Sequence, residues 1–461
     1  MVDNKKRNLV FIMTDHQRAD SIGMVQDGKE VTPNLNNLCK EAVNFTKAYT
    51  TCPLCVPART ALATGKFPVS NGVVINQPTI DKVGDYDTIH QYLKNEGYSV
   101  GHVGMNHIRV NPELKERTDF DFWIDEYDYQ EYAEGKGIKI ERDSKDVVDV
   151  IENFEGTYTK KGYSGSRVSK WDNNLVDFKD QYFKNKSIEY LEANKEKPFA
   201  LFVYLWAPHP PLQVPKEYFE MFNPDNLILP ENLGVIPESE PKIRTKGIAR
   251  QMAQNVPFDY WKHVWSASLG LTNMADQIVG EILDKVKGIG QEDNTMILFT
   301  ADHGDHLGQR LMYQKMEMYE QAINIPLIMK VPGGCSNEFD IPVSHLDILP
   351  TVLDVLNIEI PKNIDGKSLK NSVINNEEPE EKEVYCQYSG NPKIGDIRRA
   401  VISKNFKYIY DAMGECELYD LVNDPLEMNN LACGESHAHI IKDMHNMCKI
   451  FGLKQSDFIE Y

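Results

Sequence analysis

Four short apolar runs constrain the fold of this chain more than any other feature of its sequence. They span residues 8–14, 98–104, 199–207 and 295–300, and none shows the polar alternation of a half-exposed strand. Runs of this length and continuity are typical of strands buried on both faces, as in a parallel sheet covered by helices. We therefore predict an α/β protein with a large, mostly parallel, doubly wound sheet flanked by helices.

The remaining pattern divides the 461 residues into two parts. We predict an α/β domain over residues 1–374, with amphipathic helical stretches such as 33–48 and 266–287 between the strands. An insertion at about 110–185 either shapes a substrate pocket or is a solvated surface segment. After an acidic linker, alternating segments predict a smaller C-terminal α+β subdomain with an antiparallel sheet over 384–461.

Composition excludes several classes of partner. A formal charge of −19 argues against a nucleic-acid surface, because phosphate binding needs clustered Lys and Arg. No apolar stretch approaches the roughly 18 residues of a spanning helix, so we expect no membrane association. The apolar start resembles no cleavable signal, and the cysteines are scattered like those of a protein from a reducing compartment. We therefore expect a cytoplasmic protein.

Residues that can bind a metal or move a proton follow each of the four apolar runs. They are Asp15 and His16, Asn106 and His107, His209, and Asp302 and His303. In an open α/β sheet, ligands bind beyond the carboxyl ends of the strands, so these side chains should converge. A single histidine after a strand is more often an ordinary hydrogen-bonded residue, but two Asp-His pairs offer oxygen and nitrogen ligands for a divalent metal.

The stretch CPLCVPARTALATG, at residues 52–65, predicts an anion site. Pro57 near its start and Gly65 at its end predict a helix over 56–64 with Cys55 at the amino end. Unpaired N–H groups and the positive end of the helix dipole would then face a negative ligand. Arg59 lies one turn further on, and its guanidinium suits phosphate or sulfate.

Cys52 and Cys55 also form a CxxC pair, for which two other interpretations exist. A redox dithiol places its nucleophile before the helix and the partner inside it, whereas here the second cysteine caps the helix. A zinc half-site needs a second Cys or His pair at suitable spacing, and no second CxxC occurs in the sequence. Both interpretations are disfavoured.

These residues resemble those of the type I sulfatases in the alkaline phosphatase superfamily. Residues 55–65, CVPARTALATG, are similar to the signature C-x-P-[SA]-R-x-x-x-x-[TS]-G, in which the cysteine is oxidised to formylglycine. The resemblance runs nearly end to end and is weakest over about 110–185. It extends to NLVFIMTDHQRADSIG, VTPNLNNLCKEAVNFTKAYTTCPLC, FTADHGDHLGQR, MYEQAINIPLIM, VSHLDILPTVLDVL and ELYDLVNDPLEMNNLA.

The resemblance implies a metal site. Asp15, Asp302 and His303 match the metal ligands of the family, and a formylglycine made from Cys55 completes the shell. His16 stands where the family usually has Asp, Asn or Gln. The family default is Ca²⁺, whereas an imidazole donor makes Mn²⁺ the alternative.

The resemblance also implies four catalytic residues beside Cys55. Arg59 would hold the formylglycine and a sulfate oxygen, and His209 and Lys315 would bind sulfate and assist the leaving group. His107 would assist breakdown of the covalent intermediate. Met105 departs from the family, which usually has a sulfate-binding lysine at that position.

The expected function is hydrolysis of a sulfate ester by a sulfuric ester hydrolase of arylsulfatase-like type. The substrate would be a small anionic ester, a carbohydrate or aryl sulfate, and a formylglycine-generating or sulfatase-maturing enzyme would be a partner. Met105 favours the alternative of a phosphonate monoester or phosphodiester hydrolase. His16 and Met105 together would suit a third class, a catalytically silent binding protein.

Overall fold

The computed structural model of the chain describes residues 6–79, 83–139, 144–154 and 157–461. The first five residues and parts of the predicted insertion therefore lie outside the described residues.

Strands of two to ten residues form the sheets. They are β1 (Asn8–Asp15), β2 (Val25–Gln26), β3 (Lys29–Glu30), β4 (Val43–Phe45), β5 (Ala48–Tyr49), β6 (Ser99–Gly104), β7 (Phe122–Ile124), β8 (Val147–Phe154), β9 (Thr157–Ser164), β10 (Val168–Trp171), β11 (Phe199–Pro208), β12 (Leu212–Pro215), β13 (Thr295–Ala301), β14 (Asn324–Ile325), β15 (Leu327–Lys330), β16 (Asn337–Phe339), β17 (Val343–Ser344), β18 (Val384–Tyr388), β19 (Arg398–Ile402), β20 (Phe406–Asp411) and β21 (Glu417–Asp420).

The helices pack on these strands. They are α1 (Pro33–Cys39), α2 (Cys55–Thr64), α3 (Pro68–Asn71), α4 (Ile89–Asn95), α5 (Leu114–Arg117), α6 (Glu126–Gly135), α7 (Lys179–Asn194), α8 (Lys216–Phe219), α9 (Ile248–Ala253), α10 (Trp261–Gly288), α11 (Glu320–Ile323), α12 (Ile348–Val355), α13 (Lys370–Asn375) and α14 (Ala438–Gln455). Among the described residues, no helix has both the length and the apolar character needed to cross a membrane.

The central sheet has eight strands in the order β16-β4-β15-β13-β1-β11-β6-β7. All neighbours in it are parallel except the two pairs that β15 makes, with β13 and with β4. Successive residues of β1 point to opposite faces, where Val10 joins a cluster with α7 and α10, and Phe11 joins a cluster with α4 and α12. The predicted mostly parallel, doubly covered sheet is confirmed.

The four apolar runs form β1, β6, β11 and β13, which are neighbours in this sheet. Their carboxyl ends therefore meet at one edge, as the positions of the Asp and His residues predicted. The predicted helix after Cys55 is confirmed as α2, and Gly65 follows it with a left-handed φ of 66°. A residue with a side chain would be strained there, which explains the glycine at this helix end.

One helix prediction was wrong in its extent. The amphipathic stretch 33–48 forms α1 only as far as Cys39, and β4 and β5 follow. Val43 pairs with both β15 and β16, so the pairing partners in the central sheet override the helical spacing of the apolar residues. The second stretch, 266–287, lies within the long helix α10.

The predicted insertion is only partly separate from the central sheet. Strand β7 extends the sheet at the β6 edge, whereas β8 and β9 form a hairpin and β10 pairs with β12. The C-terminal sheet is the predicted antiparallel one, in the order β18-β19-β20-β21. Helix α14 packs on it, with the rings of Tyr385 and Phe451 stacked at 5.0 Å. The residue limits of the two domains stay predictions.

A fully buried histidine in β6 gives a test of this packing. Burial lowers the pKa of His102 to about 3, so the ring is neutral in the folded protein, and it stacks on Trp123 at 4.1 Å. The unfolded chain binds a proton below about pH 6.5, so stability falls as the pH drops below that value. The free energy of unfolding of the wild type should fall between pH 7 and pH 5, and that of His102→Phe should fall by roughly 2 kcal/mol less.

Urea denaturation at the two pH values measures this difference. The exposed His439→Gln substitution serves as the control and should behave like the wild type. An equal pH dependence in His102→Phe and the wild type would contradict the prediction.

Candidate active site

Four of the five predicted metal ligands form one cluster at the carboxyl edge of the central sheet, and the fifth, Asp302, lies beside it. Asp15 is the last residue of β1, Asp302 and His303 directly follow β13, and Cys55 is the first residue of α2. One ligand atom each from Asp15, His16, Cys55 and His303 lies within 4.8 Å of the others, and all four residues are buried. The Cys55 Sγ is 3.2 Å from His303 Nε2 and 3.6 Å from Asp15 Oδ1.

Arg59 bridges the two aspartates. Its Nε donates to Asp302 Oδ2 at 2.8 Å and its Nη2 donates to Asp15 Oδ2 at 2.9 Å, with all three side chains fully buried. Burial, followed by the charge of Asp302, raises the pKa of Asp15 to about 7. Burial also acts to raise the pKa of Asp302, but His303 and Arg59 outweigh it and hold that pKa below its usual range.

The imidazole of His16 is held in a fixed orientation. Its Nδ1 lies 2.7 Å from Asp305 Oδ2, which leaves Nε2 directed to the cluster, 3.7 Å from Asp15 Oδ1. Burial, followed by the charge of Lys315, keeps the pKa of His16 well below its usual range, so the ring is neutral. His16 also has a left-handed φ of 69°, a conformation that side chains rarely adopt and that is common at functional sites.

Lys315 lies beside the thiol of Cys55. Its Nζ is 2.7 Å from Cys55 Sγ and 2.6 Å from His16 Nε2. Burial alone would lower the pKa of Lys315, but Cys55, Asp15 and Asp302 raise it. Burial and the charge of Asp15 raise the pKa of Cys55 far above its usual value, so an unmodified Cys55 remains a thiol.

The two remaining predicted histidines flank the cluster. The ring of His209, after β11, lies 4.3 Å from the ring of His16 and 4.1 Å from that of Trp206. His107 follows β6, and burial, followed by the charges of Arg59 and Arg109, keeps its pKa well below its usual range. Its Nδ1 is buried without a hydrogen-bond partner among the described residues. The structure therefore brings both to the same edge of the sheet.

Sequence reasoning assigned no role to two residues of this site. Asp305, which orients His16, lies three positions after Asp302 in the segment Asp-His-Gly-Asp. His345 is fully buried, and the charges of Asp302 and Arg59 act on it, although burial is the main cause that lowers its pKa to about 3. The landmark VSHLDILP contained His345, but nothing in that pattern indicated which residues it would contact.

Two cations are buried at this site in a chain whose net charge is −19. The guanidinium of Arg59 and the ammonium of Lys315 lie beside Asp15 and Cys55, at the amino end of α2. Cations and a helix amino end arranged in this way stabilise an oxyanion and the charge that develops during its transfer.

Comparison with known proteins supplies the family. The family model described as Sulfatase matches residues 7–358, and the model described as N-sulphoglucosamine sulphohydrolase, C-terminal, matches residues 308–452. The chain belongs to the sulfatase family. The predicted membership in this family and in the alkaline phosphatase superfamily is confirmed, and the chain is a sulfuric ester hydrolase.

Individual relatives and solved structures match this chain over most of its length. An ulvan-active sulfatase of Formosa agariphila is 29% identical over 447 residues, which cover 92% of this chain and 77% of the relative. The phosphonate monoester hydrolase of Silicibacter pomeroyi has the same fold, with a TM-score of 0.78, 21% identity and coverage of 98% and 96% of the two chains. A protein solved with its substrate D-glucosamine-2-N,6-O-disulfate aligns with a TM-score of 0.74, 21% identity and coverage of 98% and 99%.

Proposed function

We propose that this sulfatase acts through a formylglycine made from Cys55. The observation that carries the proposal is the position of the Cys55 Sγ, which lies at the amino end of α2 and within 3.6 Å of Asp15, His303 and Lys315. Cys55 is 3% exposed, so a formylglycine-generating or sulfatase-maturing enzyme would have to reach it before folding is complete.

The donor set fits a divalent metal. Because Arg59 occupies the Oδ2 atoms of Asp15 and Asp302, their Oδ1 atoms remain near the Nε2 of His303, at 3.8 Å and 3.6 Å. The proposed ligands are Asp15, His16, Asp302, His303 and the modified Cys55. When bound, the metal would lower the pKa of the formylglycine hydrate and offset negative charge on the substrate.

The donor atoms bear on which metal binds, and two metals are candidates. The family resemblance implies Ca²⁺, which prefers oxygen ligands. Two neutral imidazoles, His16 and His303, would contribute nitrogen and favour Mn²⁺ as the alternative.

In the first chemical step, a hydroxyl group of the hydrated formylglycine that has already lost its proton to solvent would attack the sulfur through its ionised oxygen, in line with the ester oxygen. A bond forms between this oxygen and sulfur while the bond from sulfur to the ester oxygen breaks. Arg59 and Lys315 would hold the non-bridging sulfate oxygens, and their positive charges match the charge that develops there. Burial, followed by the charge of Lys315, keeps the pKa of His209 well below its usual range, so its ring is neutral. The ammonium of Lys315 would supply the proton that the departing alcohol requires, with His209 hydrogen-bonded to the ester oxygen.

In the second step, His107 would take the proton of the remaining hydroxyl. The carbon–oxygen bond to sulfate then breaks, sulfate leaves and the aldehyde forms again. Burial, followed by Arg59, lowers the pKa of His107, so its ring is neutral and able to accept a proton.

The proposed substrate is a small anionic sulfate ester, and a sulfated carbohydrate is favoured over an aryl sulfate. The name of the ulvan-active relative supports this choice. We also propose a cytoplasmic location. The eight cysteines are all free, which is consistent with a reducing compartment.

A second candidate activity is hydrolysis of phosphonate monoesters or phosphodiesters. Met105, where the family usually has lysine, is 5% exposed and packs in an apolar cluster, so it contributes no positive charge to the substrate. The likeness to a phosphonate monoester hydrolase is a likeness of fold. Comparing kcat/KM for 4-nitrophenyl sulfate and phenylphosphonate monoesters decides between them, and we expect the sulfate to be the better substrate.

Cys55→Ala tests the nucleophile. We expect at least about a thousandfold loss of kcat on 4-nitrophenyl sulfate, because the attacking oxygen is removed. Cys52→Ala is the matched control, since it removes the other buried thiol of the same CxxC and should retain activity. Mass spectrometry of the wild-type peptide should find aldehyde at position 55. Full activity in a protein that carries only the thiol would contradict the proposal.

Asp305→Asn tests the metal site. The side-chain amide of asparagine would donate to His16 Nδ1, so that Nε2 would keep the proton and could not bind a metal. We expect metal affinity to fall by about 10- to 100-fold, measured by titrating metal-stripped protein with Ca²⁺ and with Mn²⁺. Asp276→Asn, at the buried carboxylate that accepts from α1, is the control and should leave affinity unchanged.

A further inference from the structure

A cavity lies next to the catalytic cluster of Asp15, His16, Cys55 and His303. It has a volume of about 390 Å³, and His209 forms part of its wall. The rings of Trp171, Phe178 and Trp206 also line it, with Trp171 and Phe178 packed edge to face at 5.3 Å. Aromatic walls with a few polar groups are suited to a ring-shaped ligand such as a sugar.

Lys179 gives this cavity a positive charge. Its Nζ lies 4.2 Å from the centre of the Trp206 ring, and within the described part of the chain no carboxylate lies within salt-bridge distance of it. The next residue, Asp180, accepts the backbone N–H of Trp206 at 2.6 Å and so fixes the end of β11 beneath the ammonium. A half-buried cation that makes no salt bridge favours binding of an anion.

The position of Lys179 relates the cavity to the reaction. Trp206 contacts the ring of His209 at 4.1 Å, and His209 contacts the ring of His16 at 4.3 Å. Burial lowers the pKa of Lys179, while the charges of Asp180, Glu126 and, least of the three, Asp15 act to raise it. A substrate whose sulfate sits at the cluster would therefore extend past His209 towards Lys179.

Other charges at the cavity leave this preference intact. The carboxylate of Asp146 lines the wall, but it is 3.0 Å from the guanidinium of Arg167. Lys139 adds a second positive group at the exposed rim.

We propose that the cavity binds the sugar ring of the substrate and that Lys179 binds a second anionic group on it, a sulfate or a carboxylate. This inference rests on the proposed sulfatase function and narrows it to multiply anionic saccharides.

The test compares kcat/KM for pairs of substrates that differ in the second charge. One pair is D-glucosamine-2-N,6-O-disulfate and N-acetylglucosamine 6-sulfate, and the other is 2-sulfated glucuronate and 2-sulfated glucose, which distinguishes sulfate from carboxylate. We expect Lys179→Met to reduce the ratio within at least one pair by about 10- to 100-fold. Lys179→Arg should retain most of the ratio, because it keeps the charge.

Lys186→Met is the matched control. Lys186 lies on the same helix and also above an aromatic ring, that of Tyr182, but it pairs with Glu189 at 2.8 Å. The ratio should stay at the wild-type value in this variant. A ratio is also insensitive to the fraction of enzyme that is folded or carries formylglycine, because both substrates are measured on the same protein.

Unchanged ratios in Lys179→Met, with turnover of sulfate esters intact, would overturn the inference alone. Absence of turnover in aldehyde-bearing, metal-loaded wild type would instead overturn the proposed function. In that case, calorimetry of the disulfated sugar with Cys55→Ala, with and without Lys179→Met, still tests the site. At least tenfold weaker binding in the double variant supports the inference, and equal binding rejects it.

Discussion

The fully buried guanidinium of Arg59 is the interaction on which the site depends. It joins α2 to the ends of β1 and β13 through Asp15 and Asp302, at 2.9 and 2.8 Å. Two carboxylates buried side by side would repel each other, and removing one partner from such a buried network typically costs about 3–5 kcal/mol. The same contacts fix Cys55 one turn earlier in α2, so the stability of the sheet edge and the position of the nucleophile have a common cause.

The C-terminal sheet contributes to the site through Lys315. In β19, Arg398 donates to Glu317 at 2.6 Å and to the carbonyl of Met316 at 3.0 Å. These bonds hold the loop that carries Lys315, in which Met316 has a left-handed φ of 77°. The smaller sheet therefore keeps an ammonium beside Cys55 in a chain that is acidic overall, and supporting contacts of this kind are needed to orient catalytic groups.

The sequence predicted the parts of this protein that depend on local pattern. The continuous apolar runs identified β1, β6, β11 and β13, and the Pro and Gly around Cys55 identified α2. The stretch 33–48 failed, because sheet pairing of Val43 overrode its helical spacing. The contact of Asp305 with His16 could not be predicted, because it joins two loops 289 residues apart in the chain.

By itself, the sequence determined the family, the four central strands β1, β6, β11 and β13, and the residue types at their ends. These are carried by short motifs and by hydrophobic periodicity, which do not depend on distant contacts. Only the tertiary structure decided which groups lie side by side: Arg59 between two aspartates, Lys315 beside Cys55, and Lys179 over Trp206. The reason is physical, since burial and the placement of neighbouring charges set the charge state and orientation of each group.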